Sequence, residues 1–154
     1  MFEKSENSRK PRRLRGRQVR GGKGQLTDSG TRVPLIVSRP GSIAAGAVSE
    51  ALIDFSDFLP TFAELGGKPD KSNQLDGVSF AHLLTGVQRP GRMWAYSESR
   101  GKYWVRDQRF KLYSTGAFYD LQSDPDERLN LRKNPPVAAT ARLQALRKAL
   151  RSLQ

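Results

Sequence analysis

Lys23 sits in the run Arg20-Gly21-Gly22-Lys23-Gly24, one ammonium among glycines. A lysine is a point charge with several donors, and flanking glycines let the backbone come close to an anion. The chemistry open to such a turn is the binding of an oxyanion. Asp76, Asp120, Asp124 and Glu127 are carboxylates of the type that ligates metals, but they fall in turns, where carboxylates cap backbone N–H groups, and structural roles are expected for them. His82 is the single histidine. It lies in an apolar helical stretch and is expected to be packed or at the surface. Trp94 and Trp104 are expected to fill a core, and Arg32 to act as an ion-pair partner. With no cysteine in the chain, thiol nucleophiles, disulfides and thiolate metal sites are excluded.

The elements that must position these residues come from a chain of 154 residues, a length that suggests one domain with an added arm. At 36% hydrophobic and 27% charged, it can build one modest core. The net charge of +12 collects at the two ends. Residues 4–20 hold eight Lys and Arg residues, and no acid follows Glu127. No apolar run reaches the length of a membrane span, and the basic start lacks the apolar segment of a secretory signal. The compartment is left open.

Residues 1–20 are polar, basic and aperiodic, and are expected to be a disordered arm. Gly21–Gly24 reads as a tight turn. Val33–Val37, apolar and β-branched, reads as a buried strand. Residues 51–65 read as a helix with Asp54 or Ser56 as its cap, Pro60 in a first turn, and Phe58, Phe62 and Leu65 on one face. Gly66-Gly67 ends it. Val78–Leu84 reads as a short helix stopped by Gly86. Four strands follow, over 94–97, 103–106, 110–113 and 117–121, as an antiparallel meander. Pro136 opens a last helix whose apolar stripe is Ala139, Leu143, Leu146, Leu150 and Leu153.

Five pieces of the chain, in order, resemble the C-terminal half of the sulfatases, members of the alkaline phosphatase superfamily. Gly22-Lys23-Gly24 through Asp28-Ser29-Gly30-Thr31-Arg32-Val33-Pro34 is similar to that family's Gly-x-Lys-Gly…Glu-Gly-Gly-x-Arg-Val-Pro segment. Asp54-Phe55-Ser56-Asp57-Phe58-Leu59-Pro60-Thr61 resembles its Val-Asp-Leu-Leu-Pro-Thr helix, and Leu75-Asp76-Gly77-Val78-Ser79-Phe80 its Leu-Asp-Gly-x-Ser-Leu element. Trp104-Val105-Arg106 with Phe110-Lys111-Leu112-Tyr113 looks like its paired strands. Tyr119 to Leu131 looks like its Tyr-Asp-Leu-x-x-Asp-Pro-x-Glu-x-x-Asn-Leu signature. Ser29 replaces a family glycine, and residues 1–19 match nothing.

The resemblance implies an α/β fold, the C-terminal part of a sulfatase-type domain, with a small antiparallel sheet packed by a C-terminal amphipathic helix. The expected division is an arm over 1–20, the end of the core domain over 21–92 and the antiparallel subdomain over 93–154. The implied reaction is hydrolysis of a sulfate ester, with Lys23 contacting the sulfate and Ca²⁺ as the family's cofactor. The family's nucleophile motif, Cys/Ser-x-Pro-x-Arg, has only chance echoes here. Ser38-Arg39-Pro40-Gly41-Ser42 lacks the arginine, and Arg9-Lys10-Pro11-Arg12-Arg13 lacks the nucleophile. The family's metal-binding Asp-Asn pair has no counterpart before Lys23. The isolated chain is therefore expected to be catalytically incompetent, with a sulfatase's N-terminal half as its expected partner. Sulfatases are often periplasmic or secreted. The rival reading is a basic module that binds nucleic acid or an acidic partner through residues 9–20; the bland alternative for that stretch is a translated leader with no role. No membrane association is expected.

Overall fold

The computed structural model describes residues 12–14, 17–19, 22–69 and 74–153. Its strands and helices run β1 (Arg12–Leu14), β2 (Arg17–Val19), α1 (Asp28–Thr31), α2 (Phe58–Leu65), α3 (Ala81–Thr85), β3 (Ala95–Ser99), β4 (Lys102–Arg106), β5 (Phe110–Tyr113), β6 (Phe118–Asp120) and α4 (Val137–Ser152). They form two compact units. One joins the described residues up to Pro34 to those from Tyr96 onward, and the other is Leu35–Ala95. This differs from the expected division, because the glycine-lysine turn belongs with the C-terminal sheet rather than with the helices that follow it in sequence.

The meander is present as a four-stranded sheet in the order β3-β4-β5-β6. Trp104 lies opposite Tyr113, Arg106 opposite Lys111, and Lys111 opposite Tyr119. Opposed residues share a face and successive residues alternate. One face therefore carries Trp104, Arg106, Lys111, Tyr113 and Tyr119, and the other Val105, Phe110, Leu112 and Phe118. The second face is the core. Val105, Leu112 and Phe118 are buried, and the Phe110 and Phe118 rings stack at 5.3 Å. Helix α4 packs on β4 and β5 through Ala139, Leu143, Leu146 and Ala149. The stripe departs from expectation at its end. Ala149, three residues after Leu146, stays on the buried line, whereas Leu153 is the C-cap beyond the last turn and is exposed. The turn into β5 is tied by Asp107, whose carboxylate accepts the N–H groups of Arg109 and Phe110 at 2.8 and 2.6 Å.

Leu35–Ala95 is organised by a carboxylate. Asp54 caps a 3-10 turn over Phe55–Asp57 by accepting the Ser56 N–H, and Asp57 accepts the Asp54 N–H in return, a capping box. Of the two candidate caps, Asp54 is therefore the one used, and 51–54 are not helical. Asp57 is buried and receives Arg92 through two guanidinium nitrogens and the Val78 N–H at 2.7 Å. Burial pushes its carboxyl up, but the Arg92 guanidinium and the Asp54 and Val78 N–H groups outweigh this and hold it below the ordinary value. The Gly77 position explains its element: a Cβ there would stand 2.0 Å from the Ser56 carbonyl oxygen. The Phe80 N–H then donates to Thr61 Oγ1 at 3.0 Å, which fixes the approach to α3, and Gly86 ends that helix at φ +75°.

Three expectations fail. Residues 33–37 form no strand, and Val33, Leu35, Ile36 and Val37 are all exposed. A strand needs a hydrogen-bonded neighbour, and no described strand pairs with this run. Phe62 and Leu65 are exposed, and α2 buries Pro60 and Thr61 instead, because the Asp57–Arg92 pair and the Gly77 segment claim the opposite side of the helix. Within the stretch expected to be a disordered arm, β1 and β2 pair as an antiparallel ribbon.

Asp57→Asn should destabilise the Leu35–Ala95 unit by about 3 kcal/mol, the cost of leaving a buried arginine unpaired. Because the folded carboxyl lies below its ordinary value of 3.8, the pair stabilises above that value, and the stabilisation disappears as pH falls through the folded one. Hydrogen exchange of the α2 amides between pH 5 and 2 should show this acid limb in the parent and a flatter one in the variant; parallel limbs would refute the assignment.

Candidate functional site

Two turns packed back to back build the site. The Gln25 N–H donates to the Gly22 carbonyl at 2.7 Å, with Lys23 and Gly24 between them. Gly24 has φ +78°, the left-handed value that a type II turn needs at its third position. The second turn is α1. A Cβ on Gly30 would lie 2.2 Å from the Gln25 carbonyl oxygen and 2.3 Å from that of Gly22, and a Cβ on Gly22 would lie 2.3 Å from Ser29 Oγ. The two glycines thus let the backbones touch. Ser29 lies inside α1, where no left-handed backbone is required, and its Oγ sits 2.9 Å from Thr27 Oγ1.

What fixes this pair of turns to the sheet is Lys111. Its side chain is fully buried in the middle of β5, and Nζ donates to the Leu26 carbonyl at 2.8 Å and to Glu127 at 2.8 Å, with Asp28 at 3.3 Å. The ammonium also lies over the Trp104 and Tyr113 rings, 4.7 and 5.2 Å from their centroids. Arg106 grips Asp28 a second time, at 3.0 Å. The Tyr113 hydroxyl donates to Glu127, and burial together with that carboxylate pushes the phenol up, so it remains a donor. Glu127 itself has φ +57°; a strained backbone of this kind persists where surrounding contacts over-determine it.

Lys23, by contrast, is exposed and makes no ion pair among the described residues. The chemistry of this arrangement is electrostatic: a cation on a turn that cannot sag. The expected ion pair of Arg32 is absent among the described residues. Its contribution is a backbone N–H that donates to the Asp28 carbonyl at the end of α1. Asp120 binds Arg109, whose hydrogen bond holds its carboxyl below the ordinary value against a smaller opposing effect of burial. Asp124 caps the Leu129 N–H at 2.7 Å, and the Asp76 carbonyl accepts from Arg92. His82 is buried, as is Trp104, while Trp94 is half-buried.

These carboxylates do not suit the Ca²⁺ that the resemblance implies. Asp28, Asp57, Asp120 and Glu127 are each bonded to a lysine or arginine, and among the described residues no three acids or histidines converge. No step of the chemistry is assigned to a metal held here. Sequence reasoning missed Lys111, Arg106 and Asp28 as a unit. The available signal was a lysine between Phe110 and Leu112 in an otherwise apolar strand, with Glu127 following in a turn.

The family model for the C-terminal region of N-sulphoglucosamine sulphohydrolase matches residues 22–154. Arylsulfatase A of Homo sapiens is 30% identical, over 84% of this chain and 32% of that protein. An ulvan-active sulfatase of Formosa agariphila is 29% identical, over 74% of this chain and 31% of its own length. A solved 2-O GAG sulfatase is 29% identical and superposes with a TM-score of 0.49, over 63% of this chain and 23% of its own. The chain thus spans about a third of the length of the curated relatives it matches.

Two substitutions separate the anchor from the charge. Lys111→Met leaves Glu127 without its cation partner in a buried setting and should cost about 3 kcal/mol, with loss of exchange protection from Gly22 to Thr31. Lys23→Ala should leave the melting temperature within about 1 kcal/mol equivalent of the parent. Equal effects of the two on stability would contradict the division of labour.

Proposed function

This chain belongs to the sulfatase family, as a C-terminal sulfatase domain, and we propose that it serves a sulfatase by presenting Lys23 to the sulfate of an ester substrate. The observation that carries the proposal is an exposed lysine, without an ion pair among the described residues, on a glycine turn whose underside is locked by Lys111. A sulfate ester develops charge on its non-bridging oxygens as its S–O bond breaks. A fixed ammonium stabilises that charge more than a mobile one, because it needs no reorganisation during the reaction.

The nucleophile and metal are supplied by another part of the enzyme, on this reading, and the isolated chain is inactive. Docking of that part is supported by the apolar groups left uncovered. Phe55, Leu59 and Phe62 are exposed along α2 and its entry turn, with Phe58 stacked against Phe55 at 5.6 Å. Val33, Ile36 and Val37 are exposed beyond the site turn. Exposed large apolar side chains gathered on one element, as on α2 and its entry turn, commonly mark an interaction site. The nucleic-acid reading is not favoured: residues 9–20 lie outside the matched region, which begins at residue 22.

Purified alone and given an aryl sulfate with Ca²⁺, the chain should show no turnover above the Lys23→Ala background. Co-expressed with a sulfatase N-terminal portion that lacks its own C-terminal region, it should co-purify and restore hydrolysis, and Lys23→Ala should cut the restored kcat by about 10². Turnover by the chain alone, or restored turnover indifferent to Lys23, would sink the proposal.

A further inference from the structure

The two edges of the four-stranded sheet are finished differently. At β6 the chain seals its own edge. The Phe118 N–H donates to Asn130 Oδ1 at 3.2 Å, the Phe118 carbonyl accepts the Leu131 N–H at 2.8 Å, and the Asp120 carbonyl accepts the Asp124 N–H at 2.8 Å. At β3, the opposite edge, no such bond reaches the backbone of Tyr96 or Glu98 among the described residues.

Which β3 groups point outward follows from the neighbouring strand. The Tyr103 carbonyl accepts the Ser114 N–H at 2.8 Å, and the Tyr103 N–H reaches Ser114 Oγ at 3.3 Å, so the Tyr103 backbone faces β5. Backbone groups alternate sides along a strand, so those of Lys102 and Trp104 face β3. The hairpin turns through Arg100 and Gly101 at φ +55° and +70°, the left-handed pair of a type I′ turn. It closes on Ser99 opposite Lys102, which puts Ser97 opposite Trp104. The N–H and C=O groups of Tyr96 and Glu98 therefore point out of the sheet edge.

This edge is self-complementary. Laid antiparallel against itself with Ser97 at the centre, it sets Tyr96 opposite Glu98 and Glu98 opposite Tyr96. Each such pair can exchange both backbone hydrogen bonds. Their side chains share one face, a phenol donor against a carboxylate acceptor, and cross-strand pairs of this kind add to the ladder. Within one copy the Tyr96 hydroxyl donates to Glu98 at 2.6 Å, and that bond pushes the phenol up to about 12. It stays a donor through the neutral range, able to bond Glu98 of either copy. On the other face serine meets serine, small enough for the close approach of a non-hydrogen-bonded pair.

We propose that β3 pairs antiparallel with β3 of a second copy of this chain, joining the two sheets about a two-fold axis at Ser97. The contact is isologous and closes on itself, because the β6 edge is already sealed and cannot extend the array. A short strand pair buries little area, so the dimer is a weak one. Neither Lys23 nor the sulfatase reading enters into it.

The test is sedimentation of the full 154-residue chain over a concentration series, with NMR on the same samples. A dimer should form as concentration rises. Amide exchange at Tyr96 and Glu98 should slow with it, and an isotope-filtered NOE should link the Ser97 Hα atoms of labelled and unlabelled copies. Ser97→Lys keeps every backbone donor but sets like charges opposite each other across the axis, and should weaken the dimer about tenfold. Ser97→Glu should do the same, and mixing the two variants should restore association, a rescue that a misfolded strand would not give. Glu98→Pro removes an outward N–H, leaves the bonds to β4 intact, and should leave a monomer. A chain monomeric throughout the series would overturn the pairing. So would slow exchange of Tyr96 and Glu98 in that monomer, failure of the mixed variants to associate, or a dimer indifferent to all three changes, as one built on the α2 aromatics would be.

Discussion

A single buried ammonium holds the candidate site in place. Lys111 lies in the third strand of a four-stranded sheet, fully covered, and reaches Leu26 and Asp28 on one side and Glu127 on the other. Segments roughly a hundred residues apart in sequence thereby meet at one nitrogen. A charge taken out of water at this depth is tolerated only when paired and fully hydrogen-bonded, and here two carboxylates, a carbonyl and two aromatic faces do so. The same condition works in reverse: the turn bearing Lys23 cannot leave without stranding that charge. An apolar residue in its place could fill the volume, but it would not specify where Leu26 and Asp28 must sit.

The glycines act at a different level. Gly22 and Gly30 are needed for contact, since a Cβ on either would overlap the backbone or side chain of the other turn. Gly24 is needed for conformation, at φ +78°. Ser29 needs neither property, which is why the departure from the family's second glycine leaves the turn intact. A motif of similar-looking glycines thus resolves into positions with separate physical reasons and separate tolerance to change.

Local chemistry made most of the sheet subdomain legible. Alternation placed β5 correctly, turn residues bounded its neighbours, and the stripe from Ala139 to Leu146 placed α4 on the core. Its failures share one cause. Residues 33–37 have the composition of a buried strand, and Phe58, Phe62 and Leu65 the spacing of a buried helical face, but composition and spacing do not state whether a partner is present. The four-residue α1 and the β1–β2 ribbon depend on contacts too short in sequence to leave a periodic trace. The glycine turn around Lys23 was legible because glycines announce it, and the buried Lys111 was not, because a lysine in a strand reads by default as an exposed side chain. Its burial depends on Glu127 and Asp28, one in a turn beyond the next strand and the other more than eighty residues upstream.

The mismatch between pattern and burial is itself informative. Leu35–Ala95 reserves its interior for a polar lock, with Asp57 satisfied by Arg92 and by the N–H groups of Asp54 and Val78, and leaves an aromatic series, Phe55, Phe58 and Phe62, at or near its surface. A unit that had to fold on apolar burial alone would be expected to arrange these the other way round. Directional hydrogen bonds can hold α2 and the Gly77 segment in register without consuming the apolar face of the helix, and that leaves the face for something else to cover. Polar locks thus set the internal geometry of this unit, and its aromatic series is left at the surface.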